Sequence, residues 1–313
     1  MPKVIYSKDC LLTMGVFDVC HRGHQLLLWQ AKQLAKEKNL DLVIMTFSPH
    51  PTRLLFGEEK CTKLLYPLEK RLETLEEFEP AKVIVENFTW EFANKTPDEF
   101  MDYLKEILPN LKFIAIGFNF SFAKNATGDI PWLEKNLPKR AIGFQAIRGL
   151  KYMGDVVSST RIRNAIKEGY VQAFYDLTTR YYDLSGKVEK GNQIGRTIGI
   201  PTLNLPFTNE CSPKFGVYVS QTTDLKTGEV FPSISNLGIK PSIAEEEKKP
   251  CLETHVLVPT KLGYNSDIKV ELLEFMRPER KFDSLESLCN AMNSDKDKAI
   301  DYWAYKNFQE VYH

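Results

Sequence analysis

The stretch Gly15-Val16-Phe17-Asp18-Val19-Cys20-His21-Arg22-Gly23-His24 decides how the N-terminal half of the chain is read. It follows an apolar run, Leu11-Leu12-Thr13-Met14. It opens an amphipathic pattern from Gln25 to Lys38, with apolar residues at Leu26, Leu27, Leu28, Ala31, Leu34 and Ala35. A short apolar run, then glycine, then a 3.6-residue period spells strand, turn and helix. His21 and His24 therefore stand where a helix begins. Helix starts attract anions, because their first backbone N–H groups lack intrahelical partners and the helix dipole is positive there. Gly23 has no Cβ to keep a phosphate from the backbone.

Working outward, the pattern repeats. Strands are predicted at 11–16, 42–47, 82–85, 113–117 and 142–147, and helices at 25–38, 68–78, 97–108, 160–167 and 171–178. Such alternation implies a parallel sheet covered on both faces, with ligands at the carboxyl ends of its strands. After about residue 183 glycine becomes dense, at Gly186, Gly191, Gly195 and Gly199. Strand-like runs follow at 216–222, 229–234, 252–258 and 268–275, with a hairpin turn expected at Thr227-Gly228. They read as a small antiparallel barrel or sandwich. Two terminal helices are predicted, at 284–293 and 296–307. The expected domains are 1–182 and 183–313.

Composition narrows the classes. The formal net charge is zero, so no nucleic-acid or membrane footprint is expected. The six cysteines include no Cys-x-x-Cys pair, which points to reduced thiols rather than a zinc site. Residues 1–9 lack the apolar core of a signal peptide, and no run approaches the ~18 apolar residues of a membrane span. A cytoplasmic protein is expected.

Three further segments fall at strand ends or helix starts. Thr46-Phe47-Ser48-Pro49-His50-Pro51 ends the second strand, and its prolines predict an extended exit with no helix at once. Gly117-Phe118-Asn119-Phe120-Ser121-Phe122 leaves a later strand. Val157-Ser158-Ser159-Thr160-Arg161-Ile162-Arg163 precedes a helix, with hydroxyls to cap it and two arginines suited to phosphates.

The second chemical stretch is Gly186 to Asn204. Gly191, Gly195 and Gly199, with Arg196, can form a backbone cradle for a phosphate chain, although no P-loop Gly-Lys-Ser/Thr follows. Thr202 and Asn204 stand two apart on an extended segment, so both oxygens project to one side. A hydroxyl and an amide oxygen are hard ligands that suit Mg²⁺. A glycine-rich turn region without a ligand is the other reading of these residues.

His-x-Gly-His after Gly-x-Phe-Asp resembles the signature of the nucleotidylyltransferase superfamily. By that resemblance His21 and His24 contact a triphosphate and stabilise charge growing on its α-phosphate. In their order, the segments of both halves resemble the bacterial bifunctional riboflavin kinase/FMN adenylyltransferase family. The resemblance implies a Rossmann-like doubly wound N-terminal domain and a riboflavin kinase-like antiparallel barrel. It assigns ATP and phosphate contacts to Gly15, Phe17, Asp18, Gly23, Ser159, Thr160 and Arg163, with Arg161 catalytic beside His21 and His24. Flavin contacts fall to Pro49, His50, Asn119, Phe122 and Arg277. In the second half, Gly195-Arg196 through Asn204 resembles the kinase signature, and Asn236-Leu237-Gly238 and Glu253-Thr254-His255 resemble later family motifs. That likeness makes Thr202 and Asn204 the Mg²⁺ ligands and Glu253 the general base for the riboflavin 5′-hydroxyl. Val19 and Ala123 stand where the family usually has glycine, and each adds a β-carbon near an expected phosphate or flavin contact. The implied substrates are riboflavin, FMN and ATP, and the implied product is FAD. A kinase with weakened adenylyl transfer and a non-catalytic flavin-binding regulator are the alternatives.

Overall fold

Cys10-Leu11-Leu12-Thr13-Met14 forms β1 (Cys10–Met14), and every one of its side chains is buried. A strand hidden on both faces needs a layer on each. The computed structural model supplies both layers and describes residues 5–191, 199–239 and 250–312, with side chains to residue 306. The chain divides into two compact units, Met1–Ser159 and Thr160–His313.

In the first unit β1 is followed by α1 (Arg22–Glu37), β2 (Asp41–Ser48), α2 (Pro51–Lys60), α3 (Leu68–Glu76) and β3 (Lys82–Asn87). Then come α4 (Trp90–Ala93), α5 (Pro97–Ile107), β4 (Leu111–Gly117), α6 (Ile130–Asn136) and β5 (Gly143–Ile147). A small hairpin, β6 (Lys151–Tyr152) and β7 (Asp155–Val156), follows. The five long strands are parallel, in the order β3-β2-β1-β4-β5. Side chains alternate along each strand. Cys10, Leu12 and Met14 pack with Val43, Met45, Ile114 and Ile116 against Phe100, Met101 and Leu104 of α5. Leu11, Leu42 and Ile44 pack on the other face against Leu27, Leu28 and Ala31 of α1. Burying an aliphatic side chain of this size contributes ~1.5–3 kcal/mol. The order changes direction between β1 and β4, and loops after such strands form the crevice of doubly wound sheets.

α7 (Ser159–Lys167) begins at the division between the units, and α8 (Val171–Thr178) follows. β8 (Tyr182–Lys187), β9 (Leu203–Pro206), β10 (Gly216–Asp224), β11 (Val230–Ile239), β12 (Pro250–Val256) and β13 (Asp267–Pro278) form one antiparallel sheet, and α9 (Leu285–Tyr312) ends the chain. The strand order is β8-β13-β10-β11-β12-β9. A bridge between Glu189 and Asn204 draws the two edges together into a nearly closed barrel. Its inner side carries a chain of five buried hydroxyls. Thr222 meets Ser233 at 2.9 Å, Ser233 meets Ser220 at 2.9 Å, Ser220 meets Ser235 at 2.7 Å and Ser235 meets Thr254 at 2.8 Å. The outer side carries Val217, Val219, Ile234 and Leu273 against Ala299, Tyr302 and Trp303 of α9.

The structure departs from the sequence reading in several places; α4 and the β6–β7 hairpin add to the predicted elements, and the units divide at Ser159/Thr160 rather than at 182/183. A helix does start at once after the second strand, because Pro51 occupies the first helical turn of α2, where the missing N–H costs nothing. α6, capped by Asp129, was not foreseen. β8 and β9 lie in the glycine-dense region and pair only with distant strands. The two predicted terminal helices are one, because the polar break at Asn293–Asp295 is an anchor: Asp295 is buried and paired with Arg277.

Ala123 is held at φ 65°, ψ 179°, a region essentially reserved for glycine, where strain is of order 1–3 kcal/mol. Ala123→Gly relieves that strain at a smaller entropic cost, so the variant is expected to gain about 1 kcal/mol and ~2–4 °C in Tm. Thermal unfolding followed by circular dichroism checks this, and an unchanged or lower Tm contradicts it.

Candidate active sites

The turn between β1 and α1 is bent sharply. Phe17 and Cys20 both take positive φ, 52° and 46°, and bracket Asp18. Asp18 is buried, and its carboxylate accepts from the backbone N–H of Leu65 at 2.9 Å and of Tyr66 at 3.3 Å. It therefore ties this turn to the segment before α3. Arg71 of α3, also buried, donates to the carbonyls of Val16 at 2.7 Å and Phe47 at 3.2 Å. Sequence reasoning passed over Arg71 because a lone arginine in a helix carries no motif; its contacts span the ends of β1 and β2.

His21 caps α1. Its Nδ1 accepts from the backbone N–H of His24 at 3.2 Å, which leaves Nε2 to carry the proton of the neutral ring. The two imidazoles stack with centroids 3.7 Å apart and planes within 14°. Phe17 meets His24 edge to face at 5.1 Å. Burial, and then repulsion from His21, hold His24 well below the ordinary imidazole range, so it is neutral at pH 7. Its Nδ1 is buried with no hydrogen-bond partner among the described residues. Gly23 serves this stack as well as any phosphate: a Cβ there would press on the His21 ring at 3.2 Å. Gly15 likewise makes room for the Phe17 ring, 2.9 Å from where its Cβ would stand.

The 47–51 and 117–122 segments leave the carboxyl ends of β2 and β4, the two neighbours of β1. His50 caps α2, its Nδ1 accepting from Thr52 N–H at 3.1 Å. Pro49, half-buried, precedes it, and Asn119 is exposed just beyond β4. Phe122, expected at the flavin, is instead buried among Phe100, Phe120 and Trp132. Phe118 is the exposed ring of that segment, at 46%. Val19 is also buried, so the extra side chain is taken up by the interior. Ser159 closes the first unit, whereas Thr160, Arg161 and Arg163 open the second.

The second unit brings distant residues into one row. Across the sheet Asn204 pairs with Glu253, Glu253 with Asn236, Asn236 with Val217, and Val217 with Arg277. Directly paired residues share a face. Asn204 is buried, and a Cβ at Gly191 would come within 2.5 Å of its amide. Thr202, Asn236, Glu253 and Arg277 line a cavity of about 240 Å³ whose far wall includes Leu288 and Met292 of α9. Arg277 grips Asp295 at 2.6 Å. His255, two residues from Glu253, donates from Nδ1 to the Pro201 carbonyl at 2.8 Å. Burial holds its imidazole below the ordinary value; the Pro201 bond opposes this and Lys296 adds to it. Sequence reasoning placed Asn236 and His255 in motifs without a role. Gly199 takes φ 76° with open space around it, while Gly195 and Arg196 lie outside the described residues.

Comparisons with known proteins agree with this division. Residues 4–161 match the family model for FAD synthetase, and residues 178–303 match that for riboflavin kinase. A Bacillus subtilis protein named bifunctional riboflavin kinase/FMN adenylyltransferase is 32% identical, over 94% of this chain and 92% of its own. The Escherichia coli K12 protein of that name is 32% identical, over 90% and 89%. The crystal structure of a macrolide-efflux protein from Streptococcus pneumoniae superposes with TM-score 0.82 and 26% identity, over 93% of both chains. Among the described residues of this chain, no helix is long and apolar enough to cross a membrane.

The neutral His24 has a consequence for pH. The unfolded chain takes up a proton near pH 6.5 that the folded one resists, so stability is full above that value and falls as pH drops below it. Thermal midpoints measured from pH 7.5 to 5 should decline, and a His24→Phe variant should decline less. Equal slopes would overturn the assignment.

Proposed function

Because the chain belongs to the bifunctional riboflavin kinase/FMN adenylyltransferase family, we propose that each unit carries one of its two reactions. The protein phosphorylates riboflavin with ATP to FMN, then transfers AMP from a second ATP to FMN, giving FAD and pyrophosphate. The observation that carries this reading is the tiling of the chain by two family models, each over its own stretch.

For adenylyl transfer, His21 and His24 at the start of α1 meet the triphosphate. The neutral His24 ring, stacked on His21, meets phosphate oxygens without the repulsion that a doubly charged stack would suffer. The positive end of α1 adds to the field on the phosphates. FMN phosphate displaces pyrophosphate in line, and no covalent enzyme intermediate is needed. Positioning and electrostatics supply the rate. Family likeness adds Gly15, Gly23 and Ser159 to the ATP contacts, and Pro49, His50 and Asn119 to the flavin. Phe17 and Asp18 act by holding the turn in shape.

For phosphorylation, Glu253 takes the proton of the riboflavin 5′-hydroxyl as that oxygen attacks the γ-phosphate of ATP, and ADP leaves. Arg277, held by Asp295, shapes the flavin side of the cavity. Thr202 and Asn204 offer hard oxygens of the kind Mg²⁺ takes, and Gly191 leaves space over the Asn204 amide. Mg²⁺ there would neutralise charge on the ATP phosphates. His255 steadies the segment that bears Thr202 through the Pro201 carbonyl. The absence of a Cys-x-x-Cys pair and a formal net charge of zero support a cytoplasmic enzyme acting on small molecules, with no nucleic-acid or membrane partner.

The two sites should separate by mutation. His24→Ala is expected to lower FAD formation from supplied FMN about 10²–10³-fold and spare FMN formation. Glu253→Ala is expected to lower FMN formation about 10²–10⁴-fold and spare FAD formation from supplied FMN. Chromatography of the flavin products reads both; loss of both activities in either folded variant would sink the two-site assignment.

A further inference from the structure

We infer that Asn236 recognises the hydroxyl next to the one that is phosphorylated, and that Glu279 orients its amide for this. The inference rests on the kinase reading of the second site. Asn236 stands directly opposite Glu253 in the β11–β12 pairing, and both line the same cavity. Their backbones are one strand spacing apart, about 4.8 Å, so the two side chains converge on one small group.

An asparagine amide has a donor end and an acceptor end, and its neighbours choose which faces where. Asn236 Nδ2 donates to Oε1 of Glu279 at 3.4 Å. The carboxylate can only accept, so the amide nitrogen must face Glu279. Oδ1 is then the group that Asn236 has left for a ligand. Gly238 supports the same arrangement independently. It lies two residues along β11, and a Cβ there would fall 1.8 Å from the Glu279 carboxylate. A side chain at position 238 would move the Glu279 carboxylate from its place beside Asn236.

The cavity thus presents two neighbouring acceptors, the Glu253 carboxylate and the Asn236 oxygen. Both call for hydrogen-bond donors on neighbouring atoms. The flavin ring offers a single one, its N3–H, across the ring system from the ribityl chain, whereas the ribityl chain carries hydroxyls on adjacent carbons. Glu253 takes the 5′-hydroxyl, and Asn236 accepts from its 4′ neighbour. A substrate lacking that neighbour leaves Oδ1 desolvated and unpaired, which costs affinity.

The test compares riboflavin with 4′-deoxyriboflavin, which keeps the reacting hydroxyl. Wild-type protein is expected to favour riboflavin about tenfold in kcat/KM, the worth of one such hydrogen bond. Asn236→Ala should lose that factor on riboflavin and treat the two flavins alike. Glu279→Ala should narrow the preference, because the amide is released to turn; Glu279→Gln, which still accepts from Nδ2, should retain it. Equal use of both flavins by the wild-type protein overturns the assignment of Asn236 without any variant having to fold. An unchanged preference in Glu279→Ala overturns the role of Glu279. Failure to phosphorylate riboflavin at all is a different result and overturns the kinase reading itself.

Discussion

Strand register is the constraint on which the second site depends. Asn204, Glu253, Asn236 and Arg277 come from four strands separated by long stretches of chain, and only the pairing of β9, β12, β11, β10 and β13 sets them in one row. A slip of one residue would turn each side chain to the opposite face. Two layers prevent the slip. The hydroxyl chain from Thr222 to Thr254 must keep its partners inside, and Val217, Val219 and Ile234 must stay against α9. The Arg277–Asp295 ion pair ties β13 to α9 beside the cavity. A buried pair of this kind is weak evidence for stability but strong evidence for a defined geometry, since removing one partner would leave a buried charge.

The first unit solves a different problem. Its parallel sheet is covered on both faces, so chemistry is confined to the strand ends. The turn after β1 is forced into shape by positive φ at Phe17 and Cys20, which costs energy that the surroundings must offset. Asp18 and Arg71 do this by bonding backbone groups of neighbouring loops. Stacked histidines are the product. Burial keeps His24 neutral within that stack, at the start of α1.

Much of this was legible in sequence. The period change from Leu11-Leu12 to Gln25–Lys38 is local, and it located β1, its turn and α1 correctly. The motifs holding Thr202, Asn204 and Glu253 singled out residues that the fold brings together, Asn204 and Glu253 as direct partners across β9 and β12. What was misread depended on distant partners. Phe122 looks like a flavin-facing ring in a glycine-containing loop, but the core claims it. Asp18 looks like a phosphate contact, yet its carboxylate bonds the backbone amides of Leu65 and Tyr66. Asp295 looks like a break between helices because its partner, Arg277, lies on another element.

The sequence alone determined the two-part organisation, the element types and the kinds of chemistry, because periodicity, turn residues and motif spacing act over a few residues. Tertiary structure alone decided the neutral state of His24, the pairing of Glu253 with Asn236 and the orientation that Glu279 imposes. Each of these follows from desolvation, register or a hydrogen bond between groups that only folding brings together.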